Sequence, residues 1–146
     1  MPGTTSSDGQ HADLVLESSL ESVDRAEEIV LSAAREIGFD EDARYQVGIA
    51  VRESMVNAVA HGNRYHSGKK VLFQVWTSPE RLVVLIGDEG NGFELDKVPD
   101  PRDEANLMRH SGRGMLMIRA FMDELEITRR EPKGTLIRMV KNFKPA

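Results

Sequence analysis

The segment from Asp40 to Gly62 constrains the fold more than any other part of the sequence. Small and apolar residues lie almost all round this predicted helix, as in ESMVNAVAHGN at residues 53–63, so we expect the helix to be well buried. Asp40 is a favourable N-cap, acidic residues follow it in the first turn, and Gly62 ends the helical pattern after about Ala60 or His61. The chain must therefore surround this helix with other elements.

Three polar residues interrupt the segment at a spacing of four: Glu53, Asn57 and His61. Residues at this spacing share one helix face. Two interpretations remain open, an edge that faces water or the wall of a cleft. In a cleft, Glu53 would act as a base and Asn57 would offer an oxygen to a hard cation such as Mg²⁺. His61 taken alone is a helix C-terminal residue favoured by the helix dipole.

The rest of the pattern predicts an α+β domain. Residues 1–11 are expected to form a flexible N-terminal tail, and residues 12–146 a single domain. The expected architecture is a two-layer α/β sandwich, with a mixed, mostly antiparallel sheet of about five strands and helices on one face. The predicted strands cover residues 12–20, 69–77, 80–88, 126–130 and 135–143, and the other two helices cover 22–37 and 115–125.

Composition and missing motifs exclude several classes of protein. The net charge of −5 argues mildly against a nucleic-acid binder, and the absence of cysteine excludes disulfides and thiolate metal sites. The N-terminus resembles no signal peptide and no apolar run approaches the ~20 residues of a membrane span, so we expect a cytoplasmic protein. The sequence has no P-loop, no eukaryotic-type kinase signature, no G-x-S-x-G and no metal-type H-E-x-x-H.

Two glycine motifs border a long stretch without a sustained apolar period. DEGNGF, residues 88–93, follows a strand; it is either a plain turn or a site where Asp88 accepts a hydrogen bond from a ligand such as a purine amino group. A calcium loop does not fit, because Gly90 and Pro99 stand where ligands are needed. SGRGM, residues 111–115, is either a helix cap or an anion site with Arg113 on a phosphate.

The order of these motifs is more specific than any one of them. It resembles the nucleotide-binding domain of the superfamily of gyrase, heat-shock chaperone, histidine kinase and mismatch-repair ATPases. The resemblance is closest to the bacterial anti-sigma factor serine kinases. It rests on ESMVNAVAHGN, IGDEGNGF, SGRGMLMIRAFMDELEI and GTLIRMVK, and spans roughly residues 14–141. It implies the Bergerat-type ATP-binding fold with ATP and Mg²⁺ as ligands.

The resemblance also implies roles for single residues. Glu53 is similar to the general base, Asn57 to the residue that holds Mg²⁺ against the phosphates, and Asp88 to the adenine-reading carboxylate, which Thr135 supports. Residues 94–111 would form the ATP lid. The nucleotide-binding set implied in this way comprises Asn57, His61, Asp88, Gly90, Gly92, Phe93, Gly112, Arg113, Gly114, Met115 and Thr135.

The function implied is that of an ATP-dependent serine/threonine kinase and anti-sigma factor. It would phosphorylate an anti-sigma-factor antagonist and sequester a sigma factor, as a homodimer, without direct contact with nucleic acid or membrane. Two alternatives stay open: a nucleotide-gated binding module without kinase turnover, and a partner-switching kinase with a target outside sigma-factor control. The lack of a second domain or of a dimerisation helix pair disfavours a gyrase-like machine and a complete histidine kinase.

Overall fold

The computed structural model describes residues 8–90 and 113–144. Within them the chain forms five strands and three helices, and a π-helical turn extends the second helix. The strands are β1 (Gly9–Glu17), β2 (Lys70–Thr77), β3 (Arg81–Gly87), β4 (Glu124–Arg129) and β5 (Thr135–Asn142). The helices are α1 (Leu20–Ile37), α2 (Glu41–Val56) and α3 (Arg113–Phe121), and the π-helical turn spans Asn57–Gly62.

The five strands form one sheet in the order β1-β2-β3-β5-β4. All four pairings are antiparallel. Two helices connect β1 to β2, and β2 runs antiparallel to β1. Hairpins join β2 to β3 and β4 to β5. The predicted two-layer α+β fold is confirmed, but the described sheet is antiparallel throughout where a mixed sheet was expected.

The hydrophobic core lies between the sheet and the helices. Phe73 of β2, Val84 of β3 and Met139 of β5 are fully buried and belong to the same apolar cluster as Val30 of α1 and Val51 of α2. Burial of each such side chain stabilises the fold by roughly 1.5–3 kcal/mol relative to exposure. The shared cluster shows that the helices cover one face of the sheet.

Helix α2 is the central element of the helical layer, as its composition predicts. Its N-cap Asp40 accepts a hydrogen bond from the backbone N–H of Ala43 at 2.8 Å. Ser54 is buried too, and its hydroxyl is satisfied by donating to the Ala50 carbonyl at 2.9 Å. The helix packs against both α1 and α3. Because these neighbours do not surround α2 completely, one edge of the helix is left to border a site.

The last turn of this helix is π-helical, which the sequence pattern did not predict. The backbone N–H of Asn63 donates to the Ala58 carbonyl at 2.8 Å, a bond that spans five residues where an α-helix spans four. Turns of this kind are frequent at functional sites. The alignment of residues four apart therefore holds from Glu53 to Asn57 but not beyond.

Several element boundaries differ by a few residues from the sequence prediction, since β1 ends at Glu17, α1 begins at Leu20 and β4 begins at Glu124. Helix α3 ends at Phe121 although its pattern continues to residue 125, because the backbone N–H of Asp123 already donates to Val140 of β5 at 2.8 Å. Strand pairing thus overrides local helix propensity. Strand β1 begins at Gly9, within the predicted tail of residues 1–11, and the first seven residues lie outside the described chain.

The other face of the sheet carries a smaller apolar cluster, made of Trp76, Val83, Leu85 and Val140. Leu72 and Leu136 pack against it and are half-buried. Across the described ranges, no helix has the length and apolar character needed to cross a membrane.

Candidate functional site

The π-helical turn after α2 lies directly against the end of β3. A Cβ atom added to Gly62 would lie 2.3 Å from Oδ2 of Asp88, and one added to Gly90 would lie 2.1 Å from the Gly62 carbonyl oxygen. Protein Cβ atoms essentially never approach other atoms within 3.0 Å. Glycine is therefore required at both positions, and the two sequence motifs that contain them form one site.

Asp88 is held in a fixed orientation within this site. Its Oδ1 accepts hydrogen bonds from the backbone N–H groups of Gly90 at 2.9 Å and Thr135 at 3.2 Å. Only 7% of Asp88 is exposed, and this burial raises the pKa of its carboxyl group above the ordinary value. The two N–H donors and the nearby charges of Arg130 and Lys69 oppose that rise. The result is a buried acceptor suited to a donor group on a ligand.

The turn between β4 and β5 closes the other side of Asp88. Gly134 has a φ of +118°, and a Cβ there would lie 2.0 Å from the Asp88 carbonyl oxygen. Thr135, which follows it, is 3% exposed, and its carbonyl accepts from the Asp88 backbone N–H at 3.0 Å. The Gly-Thr pair that begins GTLIRMVK thus belongs to a turn that touches Asp88 through its backbone.

Glu53 and Asn57 lie further back along the same helix. Glu53 is half-buried, and its Oε2 would lie 2.7 Å from a Cβ added to Gly114 in the first turn of α3. Asn57 is half-buried as well, and among the described residues its buried Nδ2 has no hydrogen-bond partner. The structure therefore brings Glu53 to the start of α3, with an unsatisfied amide one turn away from it.

The remaining predicted site residues lie in different surroundings. His61 is exposed, since the π-helical turn ends the four-residue alignment, and Met115 is fully buried in the core. Arg113 is the first residue of α3. Gly92, Phe93 and Gly112, together with the predicted lid at residues 94–111, lie outside the described residues.

Residues 16–141 match the profile of the histidine kinase-like ATPase domain. The chain belongs to this family. Similar proteins include an anti-sigma F factor of Thermoanaerobacter sp. (strain X514), 33% identical over 63% of this chain and 65% of that protein. The serine-protein kinase RsbW of Oceanobacillus iheyensis is 25% identical over 74% of this chain and 71% of that protein. The chain thus spans just under two thirds of the Thermoanaerobacter relative's length.

A solved structure supports the fold of this ATPase domain independently. The mycobacterial sensor histidine kinase MprB matches with a TM-score of 0.54 at 19% identity, covering 92% of this chain and all of that chain. At such an identity the likeness concerns the fold alone.

The residues of this ATPase domain fit ATP and a hard divalent cation. The amide oxygen of Asn57 is a ligand type that Mg²⁺ accepts, and its Nδ2, which has no partner among the described residues, is available to donate to a phosphate oxygen. At the other end, the carboxylate of Asp88 is a buried acceptor for an amino group. The donor set therefore suits a purine nucleotide with its metal.

The sequence analysis does not identify four residues of this candidate site: Gly62, Asn63, Arg130 and Gly134. The sequence predicts Gly62 only as the end of a helix, and Gly134 only as the first residue of the GTLIRMVK motif. A glycine next to a turn can indicate that another group approaches it closely. The local sequence, however, does not show which part of the chain that group belongs to. Asn63 and Arg130 act through hydrogen bonds to residues that are distant in sequence, and no local pattern carries that information.

Proposed function

We propose that this chain is an ATP- and Mg²⁺-dependent serine/threonine protein kinase that acts as an anti-sigma factor. It phosphorylates an anti-sigma-factor antagonist and sequesters a sigma factor. The family match supports the ATP-dependent part, and the names of the relatives, anti-sigma F factor and serine-protein kinase RsbW, support the regulatory part. We further propose a cytoplasmic homodimer.

One observation carries this proposal. A single helix with its π-helical extension bears Glu53 and Asn57 and then reaches Asp88 through Gly62. Glu53 faces the first turn of α3, and Gly62 touches the buried carboxylate. A base, a metal ligand and a purine acceptor on or beside one rigid element are the parts that phosphoryl transfer needs, because the reaction depends mainly on positioning and charge stabilisation.

Each residue then has a defined task. Glu53 accepts the proton of the serine or threonine hydroxyl of the antagonist as that oxygen bonds to the γ-phosphorus, while the bond from this phosphorus to the β–γ bridging oxygen breaks and ADP leaves. Asn57 would hold Mg²⁺, which would supply charge neutralisation at the phosphates. Asp88, fixed by Gly90 and Thr135, accepts a hydrogen bond from the adenine amino group. Gly114, in the first turn of α3, would leave backbone N–H groups there accessible to phosphate oxygens.

The test is phosphate transfer from γ-labelled ATP to the antagonist of the native host, with wild type, Glu53→Gln and the control Glu28→Gln. Glu28 is an exposed residue of α1 outside the site. Glu53→Gln should keep ATP affinity while lowering the transfer rate by about 10²–10⁴-fold, the usual contribution of a general base. The control should transfer at the wild-type rate.

Three other outcomes contradict this proposal in different ways. Transfer at an undiminished rate by Glu53→Gln excludes Glu53 as the base. Binding of ATP and antagonist by wild type without any transfer identifies a nucleotide-gated binding module. A wild-type protein that does not bind ATP overturns the proposed function altogether.

A further inference from the structure

The peptide bond between Asp88 and Glu89 lies just beyond the end of β3 at Gly87. Its two polar groups are bound by side chains from two different loops. The N–H of Glu89 donates to Oδ1 of Asn63 at 2.8 Å, and the carbonyl oxygen of Asp88 accepts from Nη1 of Arg130 at 3.1 Å. We call this arrangement the peptide clamp. It holds the backbone directly after the carboxylate from both sides.

Asn63 is well suited to hold one side of the clamp. It is fully buried, and its Nδ2 donates to Oγ of Ser18 at 2.9 Å and to the carbonyl oxygen of Lys70 at 3.0 Å. Because the Lys70 carbonyl can only accept and the Glu89 N–H can only donate, the orientation of the amide is fixed. The position of its oxygen is therefore set by the starts of α1 and β2, independently of Asp88.

Arg130 holds the other side. It is half-buried in the β4–β5 turn, and its backbone N–H donates to the Gly134 carbonyl at 3.0 Å. Gly134 in turn touches the Asp88 carbonyl, where no Cβ would fit. The guanidinium group therefore reaches the clamped peptide from a turn that is itself packed against it.

We propose that Asn63 and Arg130 are positioning residues that aim the Asp88 carboxylate and thereby set the purine selectivity of the site. This inference rests on the proposed nucleotide function. The clamp fixes the backbone of Asp88, and Gly90 and Thr135 fix its Oδ1. An aimed carboxylate accepts from the amino group of adenine, whereas guanine presents a carbonyl oxygen at the same place and is repelled. An unclamped Asp88 tilts and discriminates less.

The first experiment needs no nucleotide. Amide hydrogen exchange of Glu89, followed by NMR in the apo protein, should be protected in wild type, because Asn63 accepts this N–H. Arg130→Met should accelerate its exchange by about tenfold, the equivalent of one hydrogen bond from a charged donor. Lys133→Met is the matched control, since this exposed residue of the same turn also loses one positive charge. It should leave the exchange unchanged.

The second experiment compares the dissociation constants of ATP and GTP by calorimetry, together with the melting temperature of each variant. Asn63→Ala removes the acceptor, so it should lower both the melting temperature and the preference for ATP. Asn63→Asp keeps an acceptor oxygen but loses both donors, so it should lower the melting temperature and retain the preference. Arg130→Met should reduce the preference by about tenfold while the protein stays folded. A purely structural role would not separate the two asparagine variants.

The results distinguish this inference from the proposed function. A wild type that prefers ATP, with Arg130→Met and Asn63→Ala preferring it equally, overturns the clamp. Fast exchange of Glu89 in wild type also overturns it, whatever nucleotide binds. A wild type that binds neither nucleotide contradicts the proposed function, and with it the selectivity role. If Asn63→Ala does not fold, Arg130→Met still decides the question.

Discussion

The two ends of the site are built differently. At Asp88 the backbone carbonyl, the backbone N–H and Oδ1 are each hydrogen-bonded, and three glycines bring backbones within distances that exclude a methyl group. At Glu53 the carboxylate instead lies against Gly114, and the amide of Asn57 is unsatisfied within the described chain. At the Asp88 end, hydrogen bonds and close packing hold the main chain in place. At the Glu53 end, the site is formed by the ends of side chains.

This difference fits the two tasks of the proposed kinase. Recognition of a base requires an acceptor that is already aimed before the ligand arrives, since preorganisation reduces the free-energy cost of binding. The phosphate end must accommodate a metal, a triphosphate and the hydroxyl of a partner protein. Side chains that can change rotamer suit that requirement better than a rigid backbone.

The largest expected effect tests this comparison by adding one methyl group at each end of the site and measuring the change in stability. Gly134→Ala places a Cβ at a φ of +118° and 2.0 Å from a backbone oxygen that cannot move independently. We expect a loss of about 3 kcal/mol or more in the free energy of unfolding, from strain and overlap together. Urea denaturation followed by circular dichroism measures this loss.

Gly114→Ala is the matched variant at the other end. Its Cβ meets only the far end of the Glu53 side chain, which can rotate away, and alanine favours the helix by up to about 1 kcal/mol over glycine. Stability should be unchanged or higher, while phosphate transfer falls because Glu53 is displaced. Equal destabilisation by the two alanines would show that both ends are equally rigid.

A smaller effect separates binding from stability at Asp88. Asp88→Asn retains an oxygen for Gly90 and Thr135 but loses the charged acceptor, so ATP affinity should fall by about 10–100-fold. The unfolding free energy should not fall, because the variant no longer buries a charge. Calorimetric titration and urea denaturation of the same sample give both quantities.

The control for this variant is Asp13→Asn. Asp13 also accepts a side-chain hydrogen bond, from Nε2 of Gln74 at 2.9 Å, but it lies on β1 and is exposed. It should bind ATP as wild type does. Unchanged affinity in Asp88→Asn would remove Asp88 from the purine site.

The smallest expected effect is a pH dependence. Burial raises the pKa of Asp88, so the folded protein keeps a proton there at a pH where the unfolded chain has released it. The contribution of Asp88 to the free energy of unfolding therefore decreases as pH rises from the ordinary pKa of about 3.9 through the raised pKa. ATP affinity changes the other way and declines as pH falls through the raised pKa, by at most about tenfold per pH unit.

Calorimetric titrations of ATP over a series of pH values measure this dependence, with Asp88→Asn as the reference. The variant should lack the part of the pH dependence that comes from Asp88, and retain the part that comes from the phosphates of ATP. Identical pH profiles for the two proteins would show that the carboxylate does not titrate with binding.

Much of the fold could be predicted because it follows from local patterns. The cap at Asp40, the end of the first helix at residue 37 and the strands predicted at 69–77 and 80–88 each agree with the structure. The end of α3 could not be predicted, because Met122 to Leu125 are compatible with a helix and only the distant β5 draws them into the sheet. Local propensity is a weak guide wherever a long-range pairing competes.

The site shows the same division. Glu53, Asn57 and Asp88 could be named from the order of their motifs, and the structure places them on or beside one helix. The π-helical turn could not be predicted, because nothing in the composition of residues 57–62 distinguishes a π-helical turn from the end of an α-helix. The roles of Asn63 and Arg130 depend on hydrogen bonds across 26 and 42 positions of the chain.

The place of β5 in the sheet has a consequence for biosynthesis. β5 lies between β3 and β4, yet the ribosome makes it after every other described element. Until residues 135–142 emerge, β3 has an open edge and β4 has no partner strand, and unpaired strand edges pair readily with other chains. Asp88 also lacks its Thr135 partners during this interval. We therefore expect the nascent protein to be most prone to aggregate just before β5 completes both the described sheet and the candidate site around Asp88.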